Sequence, residues 1–171
     1  YNNEDKGVLA DLRNNLGITS VKKVKIFNRY DVENIEKDVF DSAVKSIFSE
    51  MQVDDTYDKI TITDRTFAVE LLPGQFDQRA ASAVDCVRLI DPSAKVSIKS
   101  SKLIILPADT TDEVIARIKK YYINAVESRE KDLAKLTALE QPEVAPVPVL
   151  EGLTALTEEE LAPYCRKMGL A

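Results

Sequence analysis

From residue 5 to about residue 128 the apolar side chains follow helical and strand periods in turn, and the same order runs twice. Leu9, Leu12 and Leu16 make one helical stripe, and Gly17 is a natural stop for it. Val24, Ile26, Asn28 and Tyr30 then alternate with Lys23, Lys25, Phe27 and Arg29, which is the period of a strand. Val39, Phe40, Ala43, Val44, Ile47 and Phe48 return at helical spacing and predict an amphipathic helix over residues 35–49.

The second series begins with extended structure at Ile60 and Ile62, followed by a strand from Phe67 to Leu72 that ends at Pro73 and Gly74. Asp77 to Ile90 reads as a helix with Ala80, Ala83, Val84, Val87 and Ile90 facing inward, stopped by Pro92. Val96 and Ile98 alternate with lysines, residues 99–102 suit a turn, and Leu103 to Leu106 is a buried strand. Thr110 with Glu113 forms a capping box for a last helix, whose apolar face is Val114, Ile115, Ile118, Tyr121, Tyr122 and Ala125. Residues 7–49 thus correspond to residues 77–125 in the order helix, strand or hairpin, helix: a repeated architecture more than a repeated sequence. The expected class is α+β, two pseudo-repeated units sharing one antiparallel sheet with helices on one face.

After Glu130 the pattern changes. Leu133, Leu136 and Leu139 extend the last helical stripe, while Pro142, Pro146 and Pro148 favour an extended linker. Thr157 with Glu160 is a further capping box, opening a short stripe of Leu161, Tyr164, Cys165 and Met168 that ends at Gly169. The expected division is a domain over residues 1–130, a Pro-rich linker over 131–153 and the start of a following domain over 154–171. The chain opens on Tyr1 and reads as a piece of something longer.

Composition narrows the chemistry. A net charge of −6 without any cationic stripe disfavours a nucleic-acid partner. No apolar run reaches the length of a membrane span, so no membrane partner is expected. Two distant cysteines fit a reduced, cytoplasmic setting. Both read as core or semi-core residues, since a nucleophilic cysteine needs a base beside it. Histidine, the commonest base and metal ligand near neutral pH, is absent. No cysteine pair or carboxylate group has metal-site spacing, and five scattered glycines exclude a phosphate-binding loop. Neither catalytic residues nor a metal site is expected.

One loop carries more hydrogen-bonding capacity than solvation needs. Gln75, Phe76, Asp77, Gln78 and Arg79 crowd a single turn between strand and helix. Asp77 or Gln75 can cap the helix while Arg79 ties neighbouring loops together. The same groups can instead meet another domain or a phosphate at the helix N-terminus, and Asp77 would repel the phosphate. The cap and the interdomain contact are compatible. Asn28, Arg29, Tyr30 and Asp31 offer the same choice, as sheet rim or interface.

The string Leu72-Pro73-Gly74-Gln75-Phe76-Asp77-Gln78-Arg79-Ala80-Ala81-Ser82-Ala83 closely resembles the N-terminal part of large, single-chain phosphoribosylformylglycinamidine synthases. So do Leu9-Ala10-Asp11-Leu12-Arg13, Phe27-Asn28-Arg29-Tyr30-Asp31-Val32-Glu33 and Phe67-Ala68-Val69-Glu70. These ligases of purine biosynthesis convert formylglycinamide ribonucleotide to its amidine with ATP and glutamine. The resemblance covers about residues 5 to 130 and implies a domain like two fused copies of the small S subunit of the split enzyme. By that comparison a first strand precedes Tyr1, and its absence exposes a sheet edge at which two copies could pair. It also implies that ATP and magnesium bind the parent enzyme's central domains, that glutamine is hydrolysed in a C-terminal domain, and that this segment binds no cofactor. Its expected partners are those synthetase and glutaminase domains, which it bridges while helping to enclose the ammonia route. A second reading is a free-standing regulatory module that binds a metabolite between its halves.

Overall fold

The structure, a computed structural model, describes residues 3–134, 139 and 156–167. The chain divides into two units, Tyr1–Gln141 and Pro142–Ala171. In the first, helix α1 (Asn3–Asn14), strand β1 (Lys25–Glu33) and helix α2 (Lys37–Ser46) are followed by β2 (Thr66–Leu71). Then come α3 (Gln78–Ile90), β3 (Ser97–Ile105), α4 (Asp112–Tyr122) and β4 (Ser128–Lys131). The fold is α+β, with one antiparallel sheet in the order β1-β3-β2-β4.

The expected repeat is visible as α1-β1-α2 and α3-β3-α4. Its two strands are nine residues each and pair along their whole length, with Arg29 opposite Ser101, the fifth residue of each strand. An antiparallel pair centred on equivalent residues has a local twofold axis through that centre. The helix starts repeat a device as well. Asp5 in the first turn of α1 accepts a bond from the Ile26 amide of β1 at 2.9 Å, and Asp77 at the start of α3 accepts one from the Ser100 amide of β3 at 2.8 Å. Each unit thereby ties its first helix to its own strand.

Strand alternation sends Ile26, Tyr30, Val32, Ile98, Ile104 and Phe67 to the face that carries the helices. Two core clusters form there. One joins Val8 and Leu12 of α1 to Ile115 and Ile118 of α4, around Ile26, Phe67 and Ile104. The other joins Ala43 of α2 to Ala80, Ala83 and Val87 of α3, around Val96 and Ile98. The local twofold exchanges the two clusters, since α1 corresponds to α3 and α4 to α2. Each cluster therefore takes one helix from each unit, and neither unit has a complete core of its own. Gly17 (φ +64°) turns the chain after α1, and the Ile18 amide returns to the Leu12 carbonyl at 2.8 Å.

Several expectations need correction. Residues 99–102 do not turn: β3 runs straight through them. Their polar side chains looked like a loop, but Ser100 and Lys102 have partners on neighbouring elements, Asp77 and Glu4, and the Ser101 hydroxyl is buried without one among the described residues. The cap of α4 is Thr111, whose hydroxyl accepts from the Val114 amide at 3.4 Å, while Thr110 is buried with its hydroxyl oxygen unpartnered. That helix ends at Tyr122, so Ala125 lies beyond it and Leu133 and Leu139 do not extend it, because β4 intervenes. Ile60 and Ile62 precede β2 and belong to no strand. Ile90, the last residue of α3, is 45% exposed, and Cys86 is exposed too, because the inward face of that helix is set by Ala80, Ala83 and Val87.

In the second unit, α5 (Glu158–Lys167) begins as the capping box predicts at its acidic side. Glu160 Oε2 accepts from the Thr157 amide at 3.0 Å and from its hydroxyl at 2.8 Å. The backbone bond first and the hydroxyl bond second hold the Glu160 carboxyl below its ordinary value. Cys165 is half-buried there. The Pro-rich stretch from Pro142 to Pro148, Leu136, Met168 and Gly169 lie outside the described residues.

Candidate functional site

The Leu72-to-Arg79 loop is built by a tight turn and a helix cap in immediate succession. The Gln75 amide donates to the Leu72 carbonyl at 3.0 Å with Gly74 at φ +91°, a conformation that glycine adopts without a Cβ penalty. Two residues later Asp77 caps α3, accepting from the Ala80 amide at 2.9 Å. Its carboxylate also takes the Ser100 amide at 2.8 Å and the Ser100 hydroxyl at 2.9 Å. The pairing of β2 with β3 stops at Val69 and Lys102, so Asp77 satisfies an amide of β3 past the end of that ladder. Asp77 thereby fixes the loop to β3, an inner strand of the sheet.

Arg79 reaches from the first turn of α3 to the Tyr30 hydroxyl at 3.1 Å. That bond is the first cause of a guanidinium pKa raised above its ordinary value, with burial opposing it. The Tyr30 ring packs on Phe48, centroids 4.9 Å apart. The structure therefore brings Tyr30, Asp77 and Arg79 together as an internal brace. It leaves Gln75, Phe76, Gln78 and Asn28 exposed, Phe76 to 77%. A phenyl ring held in water by an anchored turn is a surface feature suited to contact.

Arg29 is not part of that constellation. Alternation turns it to the face of the sheet opposite α1 to α4, where its guanidinium holds Asp31 Oδ1, Nε at 2.9 Å and a terminal nitrogen at 2.8 Å. Lys131, with a side chain only 4% exposed, sits between Asp31 Oδ2 at 3.2 Å and Glu70 Oε2 at 2.6 Å. The contact to Asp31 is an ion pair by distance but is not aligned as a hydrogen bond. Arg129 Nε closes the row on Glu70 Oε1 at 2.8 Å. Burial pushes the Glu70 carboxyl up, but the bonds from Lys131 and Arg129 outweigh it and hold the group below its ordinary value. This row links β1, β2 and β4 across the side opposite α1 to α4.

The sequence pointed to neither Lys131 nor Glu70 as site residues. Ser128-Arg129-Glu130-Lys131 is polar throughout, with only Ser128 and Lys131 buried, so it carries no apolar alternation that would mark a strand. Among the described residues no group of three or more Asp, Glu or Cys stands together as a metal site, and no helix is long and apolar enough to cross a membrane. The carboxylates closest to the loop and to the sheet face hold backbone amides, a hydroxyl or cations. No known protein family matches this chain, and no curated protein is similar to it.

Proposed function

We propose that this chain is the non-catalytic architectural N-terminal domain of a large, single-chain phosphoribosylformylglycinamidine synthase. In that reading it is a cytoplasmic segment of a ligase of purine biosynthesis, and it bridges the synthetase and glutaminase domains. ATP, magnesium and glutamine then belong to those other domains. The role of this segment is interface geometry: a dry contact keeps ammonia from being lost or protonated on its way between active sites.

The observation that carries the proposal is the loop Leu72–Arg79. The string that resembles the family is also a string that the fold anchors, through the three bonds of Asp77, while Gln75 and Phe76 stay exposed. A rigid loop loses little conformational entropy on docking, so its exposed groups contribute more of their contact energy. The absence of histidine from the chain agrees with a segment that does no proton transfer.

Complementation tests this. Added to a synthase that lacks its first domain, the chain is expected to restore glutamine-dependent amidine formation. The double variant Gln75→Ala/Phe76→Ala removes exposed groups that brace nothing internally, so it should melt like the parent and lose most of the restoration. Failure of the parent chain to restore activity, or full restoration by the double variant, would count against the proposal.

A further inference from the structure

At the other end of β2 from the docking loop, three lysines surround an open cleft of about 520 Å³. Lys25 and Phe27 alternate on β1 and so share the face of the sheet opposite α1 to α4, and Ile105 of β3 pairs with Lys25 and points the same way. Lys23 precedes the strand, and Lys59 comes from the segment between α2 and β2, together with Tyr57 and Thr61. The Phe27 and Tyr57 rings meet edge to face, 5.7 Å between centroids and 89° between planes. Tyr57 is 59% exposed, which leaves ring surface open to the cleft.

Charge makes the arrangement unusual for this molecule. The chain carries a net charge of −6, yet no carboxylate lines the cleft and its three lysines are without an ion-pair partner among the described residues. Three like charges around an apolar, aromatic floor repel one another, and no carboxylate of the cleft lining offsets that repulsion. An anion would. Lysine ammoniums are point charges on flexible stems, and three of them match the higher charge and several oxygens of a phosphate better than the single charge of a carboxylate. The free ring surface suits a flat partner, since stacking on an aromatic side chain tolerates any π-face. The volume lies in the range of small-molecule sites.

We propose that this cleft binds a small organic phosphate that carries a planar ring, with Lys23, Lys25 and Lys59 on the phosphate and Tyr57 against the ring. The inference rests on the cleft alone and stands or falls separately from the docking loop. Phenyl phosphate and a nucleoside monophosphate are the probes, and inorganic phosphate and the unphosphorylated nucleoside are the controls. The chain has no tryptophan, so quenching of its tyrosine emission reports stacking, alongside the shift in melting temperature. Both ring phosphates should bind saturably, and each control at least about tenfold more weakly.

The variants Tyr57→Ala and Lys25→Glu/Lys59→Glu should each weaken binding about tenfold, and added salt should weaken it further. All three side chains are exposed, and Lys25→Gln/Lys59→Gln replaces the charge reversal if that variant does not fold. Three results would overturn the inference: no saturable binding of either ring phosphate, inorganic phosphate binding as well as phenyl phosphate, or affinities indifferent to the lysine and tyrosine variants.

Discussion

Asp77 joins three partners that come from two elements: the Ala80 amide of its own helix and the amide and hydroxyl of Ser100 on β3. Replacing it by alanine removes a helix cap and strips the Ser100 amide of its partner. Asp77→Ala is therefore expected to cost about 2–3 kcal/mol in chemical denaturation, above the ~1 kcal/mol of an ordinary cap. A loss below about 0.5 kcal/mol would mean that water replaces the carboxylate at no cost. Sequence alone made the cap legible, because it is local. The bond from Arg79 to Tyr30 and the bonds from Ser100 were not legible, since they depend on which strand lies beside the helix start. That Arg29 and Tyr30 serve opposite faces was already present in the alternation of β1, although the two were grouped as one candidate surface.

Lys131 and Glu70 belong to the same scale. Lys131→Met leaves Asp31 and Glu70, 14% and 12% exposed, without their shared cation, and is expected to cost about 3 kcal/mol. The folded pKa of Glu70 lies below its ordinary value of 4.5. Its contribution is thus fully present above that value and is lost as pH falls through the folded pKa. Glu70→Gln should accordingly flatten the acid side of a stability-against-pH curve and leave its neutral slope unchanged. An unaltered acid limb would contradict the role given to the row.

At the scale of elements, the start of α4 offers a sharp comparison between neighbours. Thr111 caps the helix, whereas the Thr110 hydroxyl is buried without a partner. Thr111→Ala should cost about 0.5–1 kcal/mol. Thr110→Val keeps the shape, removes an unsatisfied oxygen, and should be neutral or stabilising when melted in parallel. The reverse ranking would return the cap to Thr110, the residue that the spacing to Glu113 favours. Spacing alone could not decide between adjacent threonines, because a one-residue shift preserves both hydroxyl chemistry and nearly the same acidic first turn. Elements with an apolar period of their own, such as α2, α3 and β2, were legible within a few residues. Strand β3 across Lys99-Ser100-Ser101-Lys102 and strand β4 were not, since each is held by partners distant in sequence.

Across the whole first unit, the two core clusters each draw on both α-β-α halves, so damage to one should be felt by the other. Leu12 and Val87 are fully buried in different clusters. Leu12→Ala is expected to cost about 2–5 kcal/mol and Val87→Ala about 2 kcal/mol. Each should shift one shared unfolding transition, because the β1–β3 ladder runs through both clusters. Two separate transitions in either variant would show that the halves fold independently. The helix-strand-helix order of each half and the shared sheet were readable from the doubled periodicity, whereas β4 was not. The local twofold, centred between Arg29 and Ser101, became visible only with the pairing register.

The docking proposed for this chain makes its most direct demand on the loop that Asp77 anchors. Amide hydrogen exchange of the chain, followed with and without a single-chain synthase that lacks its first domain, reads that loop residue by residue. Slowed exchange over Leu72 to Arg79, with Tyr57 to Thr61 unchanged, is the expected result. Exchange in the loop that is indifferent to the synthase, or protection confined to other surfaces, would contradict it.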